Sequence, residues 1–206
     1  IYVAANGPIA LQAAGEYGDG RISAGNEPAH AFLESLGVIE EAASKAGRKL
    51  PADFHTAALT YACVLRPGET LSSDRVVDQV GSMVTSALHY WWELRQKIGS
   101  DVFVPEACRA EWEDYLRYVE AMETPADRRF QQIHDGHCTY LVPAERRFVT
   151  PNTIRASRGL VGTPEEIVEQ LHELESLGLR EVTLLPPMEH ARVCFREFAE
   201  AVFNRY

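Results

Sequence analysis

The chain opens on a continuous apolar run, Ile1-Tyr2-Val3-Ala4-Ala5, which Asn6-Gly7-Pro8 stops. That is the pattern of a buried strand ending in a turn. Pro8 stands where a helix begins, a position at which its missing N–H costs nothing. Ile9, Leu11, Ala13, Ala14 and Tyr17 then suit a short buried helix, which Gly18-Asp19-Gly20 ends. Arg21-Ile22-Ser23 predicts a second strand, very short. Over 27–46 the positions Phe32, Leu33, Leu36, Ile39, Ala42 and Ala43 follow the helical period, and Gly47 closes it. Residues 54–65 are rich in Thr, Tyr, Val and Leu and predict a third strand, with Pro67-Gly68 as the turn beyond it. Residues 74–92 read as a helix whose inner face is Val76, Val77, Val80, Met83, Val84, Ala87 and Leu88.

Residues 96–150 break this rhythm. A helix is expected over 110–123, and Pro105, Pro125, Pro143 and Pro151 punctuate the rest. An excursion of this length exceeds ordinary connections, and such segments are usually functional or mobile. Regularity returns at Thr163-Pro164-Glu165-Glu166, a helix start with Thr as N-cap, Pro at the first helical position and Glu at the third. That helix runs to about Leu177, Gly178 ends it, 181–185 is the last strand before Pro186-Pro187, and 190–203 is a terminal amphipathic helix. The alternation of strand and helix implies parallel strands with right-handed crossovers. An open four-stranded sheet and half of a barrel fit the pattern equally well.

Composition narrows the class. Of 206 residues, 46% are apolar and 24% charged, the proportions of a globular protein. No run of 18 apolar residues is present, so no membrane span is expected. The first residues lack the basic flank and cleavage site of a signal peptide. A net charge of −10 argues against a nucleic-acid partner, which would need clustered Lys and Arg, but leaves room for a phosphate site built from backbone amides. Cys63, Cys108, Cys138 and Cys194 match neither a zinc spacing nor a redox pair, and read as reduced thiols of a cytoplasmic protein.

Two segments carry a specific resemblance. Ile1 through Leu11, continued by Ala14-Gly15-Glu16-Tyr17-Gly18-Asp19-Gly20, resembles the fifth strand, helix and sixth strand of luciferase-like flavin or deazaflavin oxidoreductases. Gly162-Thr163-Pro164-Glu165-Glu166-Ile167 through Gly178-Leu179, then Val182 to Pro187, resembles the approach to strand eight. The resemblance implies an α/β fold: the C-terminal half, strands 5–8, of a luciferase-like (β/α)₈ TIM barrel, with a long insertion before the last helix–strand–helix unit. On that reading 1–206 is one portion of a single barrel domain, the insertion covers about 96–150, and the N-terminal half barrel lies outside this chain, since a whole barrel takes about 250 residues.

The resemblance also implies an oxidoreductase that uses coenzyme F420 or FMN. Hydride transfer between F420 and an organic substrate leads, an FMN-dependent monooxygenase is the alternative, and a barrel subunit without cofactor is the third possibility. The cofactor-binding residues it implies are Ala5, Asn6, Gly7 and Pro8, at a strand's C-terminal end just before a helix. Backbone amides there offer donors and partial positive charge to a phosphate.

The remaining candidates come from the residues themselves. His134-Asp135-Gly136-His137-Cys138 is the densest reactive cluster; His137 is the candidate proton donor, with an ordinary loop histidine as the alternative. A metal site from His134, His137 and Cys138 is set aside, because such close ligands lack a second half. Arg155 and Arg158 are candidates for an anionic substrate or cofactor tail, with solvated arginines as the commoner reading. Tyr90-Trp91-Trp92, at helical spacing, reads as core packing. A small-molecule substrate and a homo-oligomeric state complete the expectation.

Overall fold

Residues 1–25 and 27–206 are described by the computed structural model. β1 (Tyr2–Ala4) leads through the Asn6-Gly7 turn into α1 (Pro8–Tyr17), and β2 (Gly20–Ala24) leads into α2 (Ala29–Lys45). β3 (His55–Thr60) and β4 (Ala62–Val64) follow, then α3 (Asp74–Ile98). The insertion folds as α4 (Arg109–Glu120), α5 (Arg129–Ile133) and short 3₁₀ turns. The chain then closes with α6 (Pro151–Ala156), β5 (Leu160–Gly162), α7 (Pro164–Ser176), β6 (Glu181–Leu184) and α8 (Ala191–Phe198), which ends in a π turn over Ala199–Phe203.

The four expected strands form one parallel sheet in the order β1-β2-β3-β6. Its register sorts side chains onto two faces. Val3, Ala5, Ala58, Val182 and Leu184 pack against helix residues such as Leu11, Ile39, Phe32 and Ile167. Tyr2, Ala4, Ala24, Leu59, Glu181 and Thr183 alternate with these and are exposed. The helices thus bury one face and leave the other open.

α1 and α2 pack tightly because Gly15 lets their backbones meet. A methyl group at Gly15 would stand 2.2 Å from the Ile39 carbonyl oxygen and 2.9 Å from Ala42 Cβ. Since the nearest atom is backbone, Gly15→Ala must push the helices apart. We expect a loss of about 1–3 kcal/mol, the usual range for overpacking. A urea titration checks this, and an unchanged midpoint would contradict the close approach.

Four details depart from the sequence reading. The third strand breaks at Tyr61: β3 pairs with β6, whereas β4 pairs with β5, a strand that three residues after a helix did not announce. α3 runs six residues beyond the predicted Trp92 to Ile98. Arg95 and Lys97 in its last turn favour this extension, and Gly99 at φ 67° closes it. The insertion's helix is Arg109–Glu120, shorter at its C-terminus than 110–123.

The insertion has its own core. Leu88, Trp91, Trp112, Tyr115, Ile133 and Phe148 are buried together, apart from the sheet's core. Tyr90 stays exposed while Trp91 is buried, as core packing at helical spacing requires.

Candidate functional site

The turn after β1 is shaped by a change of hydrogen-bond partners. The Ala5 amide still donates to the Ile22 carbonyl at 3.0 Å, continuing the ladder with β2. The Ala5 carbonyl then leaves the ladder and accepts from Arg21 Nε at 2.8 Å. The Ala24 amide, next along β2, is satisfied at 2.8 Å by Asn6 Oδ1 instead. The Asn6 side chain therefore ties strand ends together and leaves its backbone amide to the turn. The amides of Asn6 and Gly7 have no acceptor among the described residues.

Gly7 is the N-cap of α1 at φ −121° and ψ 165°, and Pro8 fills the first position as predicted. A Cβ on Gly7 would meet nothing within 4 Å. These two amides stand at the positive end of a ten-residue helix, with room beside the Gly7 Cα among the described residues. The residues present fit an anionic group such as a cofactor phosphate.

His137 lies on the insertion, as part of a chain of three groups. His89 of α3 is fully buried, with Nε2 at 3.2 Å from Glu145 Oε2 and Nδ1 at 2.9 Å from His137 Nδ1. A neutral His89 gives its Nε2 proton to Glu145 and accepts from His137, which leaves His137 Nε2 as a base; this tautomer is assigned from the partners. His134 packs beside both rings, at centroid distances of 5.6 and 4.9 Å. Ser86 Oγ lies 3.2 Å from Cys138 Sγ and fixes the neighbouring turn. Among the described residues no set of three or more His, Cys, Asp or Glu is arranged to hold a metal ion.

Burial first, and the nearby His89 and His134 second, hold the His137 pKa below its ordinary 6.5. The folded state therefore binds fewer protons than the unfolded state in that window, so stability falls as pH drops through 6.5 toward the folded value. Thermal melts from pH 8 to pH 5 should show a wild-type loss that His137→Gln lacks. Parallel curves for the two proteins would contradict this coupling.

Arg155 and Arg158 do not join the Asn6-Gly7 turn. They line a cleft of about 860 Å³ between the start of α2, the loop after β4, and α7, together with Glu27, Glu69 and Glu166. Arg158 holds a positive φ of 59°, uncommon for a residue with a side chain. Glu69 is bonded by Arg75, which holds its pKa at about 2. A second cleft of about 370 Å³ lies between Asp78 and Ser82 of α3, Tyr140 and Leu141 of the insertion, and Pro187 and His190 beyond β6. The end of the insertion therefore sits by the C-terminal ends of the strands. Burial pushes Cys63 up to about 12, and Cys108 and Cys194 up to about 11, so these thiols stay protonated and inert.

His89, Glu145, Arg21 and Glu27 escaped the sequence reading. A signal existed for His89: Ser82, Thr85 and His89 recur at helical spacing, and all three are buried. Arg21 is a lone charge inside a strand next to Gly20, and it is 1% exposed.

Comparison with solved structures places the fold. The coenzyme F420 dependent tetrahydromethanopterin reductase from Methanopyrus kandleri aligns over 100% of this chain and 50% of its own, at 18% identity and a TM-score of 0.59. An F420-dependent secondary alcohol dehydrogenase in complex with an F420-acetone adduct aligns over 98% and 48%, at 16% identity and a TM-score of 0.47. Monooxygenase RslO1 from Streptomyces bottropensis aligns over 98% and 46%, at 18% identity and a TM-score of 0.45. The chain thus spans about half the length of each. The family model for luciferase-like monooxygenases matches residues 1–181. With a match over that much of its length, the chain belongs to the luciferase-like monooxygenase family.

Proposed function

We propose that this chain forms strands five to eight of a luciferase-like (β/α)₈ barrel and serves an oxidoreductase that moves hydride between coenzyme F420 and an organic substrate. The observation that carries this reading is the turn after β1, where the amides of Asn6 and Gly7 have no acceptor among the described residues and stand at the head of α1. They would hold the cofactor phosphate, and Pro8 starts the helix whose positive end adds to the grip. Ala5 supplies the strand end from which the turn springs. When bound, the deazaflavin supplies the hydride chemistry; the protein positions it and excludes competing reactions.

The insertion is the cover of this site in our reading. Tyr140 and Leu141 line one cleft with Pro187 and His190 beyond β6, which supports that role. His137 would exchange a proton with the substrate through Nε2, with His89 and Glu145 behind it fixing the orientation and tautomer of its ring. Arg155 and Arg158 would pair with an anionic part of substrate or cofactor at the larger cleft.

Fluorescence titration with F420 and with FMN tests the proposal. The expected result is saturable binding with F420 preferred. Preference for FMN would favour the monooxygenase reading, and binding of neither would leave a barrel subunit without cofactor.

A further inference from the structure

We propose that Arg21 is a positioning residue for the phosphate grip: it turns the Ala5–Asn6 peptide so that the Asn6 amide faces the open side of the sheet. The inference rests on the cofactor-binding reading of that turn.

The argument is one of backbone geometry. A trans peptide is planar, so the carbonyl of Ala5 and the amide of Asn6 point in opposite directions. Arg21 pairs in register with Val3, on the face that the helices cover. Its Nε draws the Ala5 carbonyl toward that covered face, and the Asn6 N–H is thereby turned toward the other. In an uninterrupted parallel ladder the Ala5 carbonyl would take the Ala24 amide, and the peptide plane would lie along the sheet. Asn6 Oδ1 takes that amide at 2.8 Å and frees the carbonyl to turn.

The guanidinium itself is held in place. Its two terminal nitrogens meet Glu27 at 2.7 and 2.8 Å, and Ser35 Oγ donates to the same carboxylate at 3.3 Å. Arg21 is 1% exposed and the Glu27 side chain 15%. Removing charges from water is costly, and a pair of this kind is weak evidence for stability. Here the guanidinium makes two hydrogen bonds, from Nε to Ala5 and from one terminal nitrogen to Glu27, while the other terminal nitrogen adds an ion-pair contact, a combination an ammonium does not reproduce. Glu27 also lines the larger cleft, so the same pair links the turn after β1 to the segment after β2.

The test uses phosphorylated and dephosphorylated cofactors, because a loss of general foldedness would weaken both alike. FMN is compared with riboflavin, and F420 with its dephosphorylated deazaflavin, by fluorescence titration against the full-length protein. Two variants are measured beside the wild type. Arg21→Lys keeps a charge for Glu27, and Arg21→Met/Glu27→Gln removes the buried pair together, so that neither leaves a lone buried charge. We expect the preference for the phosphorylated form to fall by about 10- to 100-fold in both, the worth of one hydrogen bond to a charged group. Affinity for the dephosphorylated form should stay within about threefold. Thermal melts confirm that each variant is folded. An unchanged preference in a folded variant would overturn the proposal for Arg21 alone. A wild type that does not distinguish the two forms would overturn the phosphate-grip reading and this inference with it.

Discussion

Replacing Gly7 with valine is expected to weaken F420 or FMN binding by about 10- to 150-fold, the loss of one phosphate hydrogen bond at about 1.5–3 kcal/mol. The fold should hardly respond. Gly7 adopts φ −121° and ψ 165°, extended backbone that valine favours. Among the described residues no atom lies within 4 Å of the added Cβ. Two small effects on stability oppose each other. Valine is a poorer N-cap than glycine, whereas losing a glycine lowers the entropy of the unfolded chain by about 0.4–1 kcal/mol. The net change should stay within about 1 kcal/mol, or about 4 °C for a domain of this size. The loss of binding would come from the isopropyl group standing where the ligand's phosphate approaches. Titration and melting of both proteins decide it. A variant that melts normally and binds with unchanged affinity would show that this turn is only a turn.

The largest loss of stability is expected at Trp112→Ala, about 3–5 kcal/mol. Trp112 is 1% exposed, stacked on Tyr115 at 5.9 Å and edge-on to Trp91 at 6.1 Å. It joins α4 to the far half of α3, so its removal opens a cavity where the insertion's own core is centred. The sheet's clusters contain none of these residues, and the damage should therefore concentrate in the insertion. Limited proteolysis should cut first within 100–150, before the strands are lost. Trp112 Nε1 finds no acceptor among the described residues, so the side chain contributes through packing. Trp112→Phe, which also removes that unpaired donor, should cost clearly less than alanine. Equal losses for Phe and Ala would point to a hidden partner of the indole nitrogen.

What the sequence disclosed follows from how locally each signal is written. The Asn6-Gly7-Pro8 turn and the Thr163-Pro164-Glu165-Glu166 start are encoded in neighbouring residues, and both stand where predicted, the second as a full capping box. The parallel order of four strands follows from alternation. β5 stayed hidden because three residues carry no readable period, and its partner β4 lies about a hundred residues away in sequence. The same distance hid the Glu145–His89–His137 chain: His137 was legible inside a reactive cluster, but the group that orients it comes from α3. Arg21 was passed over because a charged residue in a strand reads as an exposed one until the carbonyl it serves is known.

The partner change at Tyr61 has a consequence for how this fold tolerates variation. β4 and β5 are hydrogen-bonded neighbours, with Ala62 beside Leu160 and Val64 beside Gly162. The segment from α3 to α6 therefore has its two ends held about 5 Å apart, as adjacent strands require, while Val76, Val80, Val84 and Ile154 of α3 and α6 pack on Tyr61 and Cys63. Surface loops within a segment whose ends are clamped so closely can be lengthened at little thermodynamic cost, since doubling a flexible loop adds only about 0.6 kcal/mol of closure entropy. The insertion is in this sense a cassette. Its replacement would redraw the wall of the cleft at Tyr140 and Leu141 while the backbone of the β1 turn, at the opposite end of the sheet order from β6, stays in place.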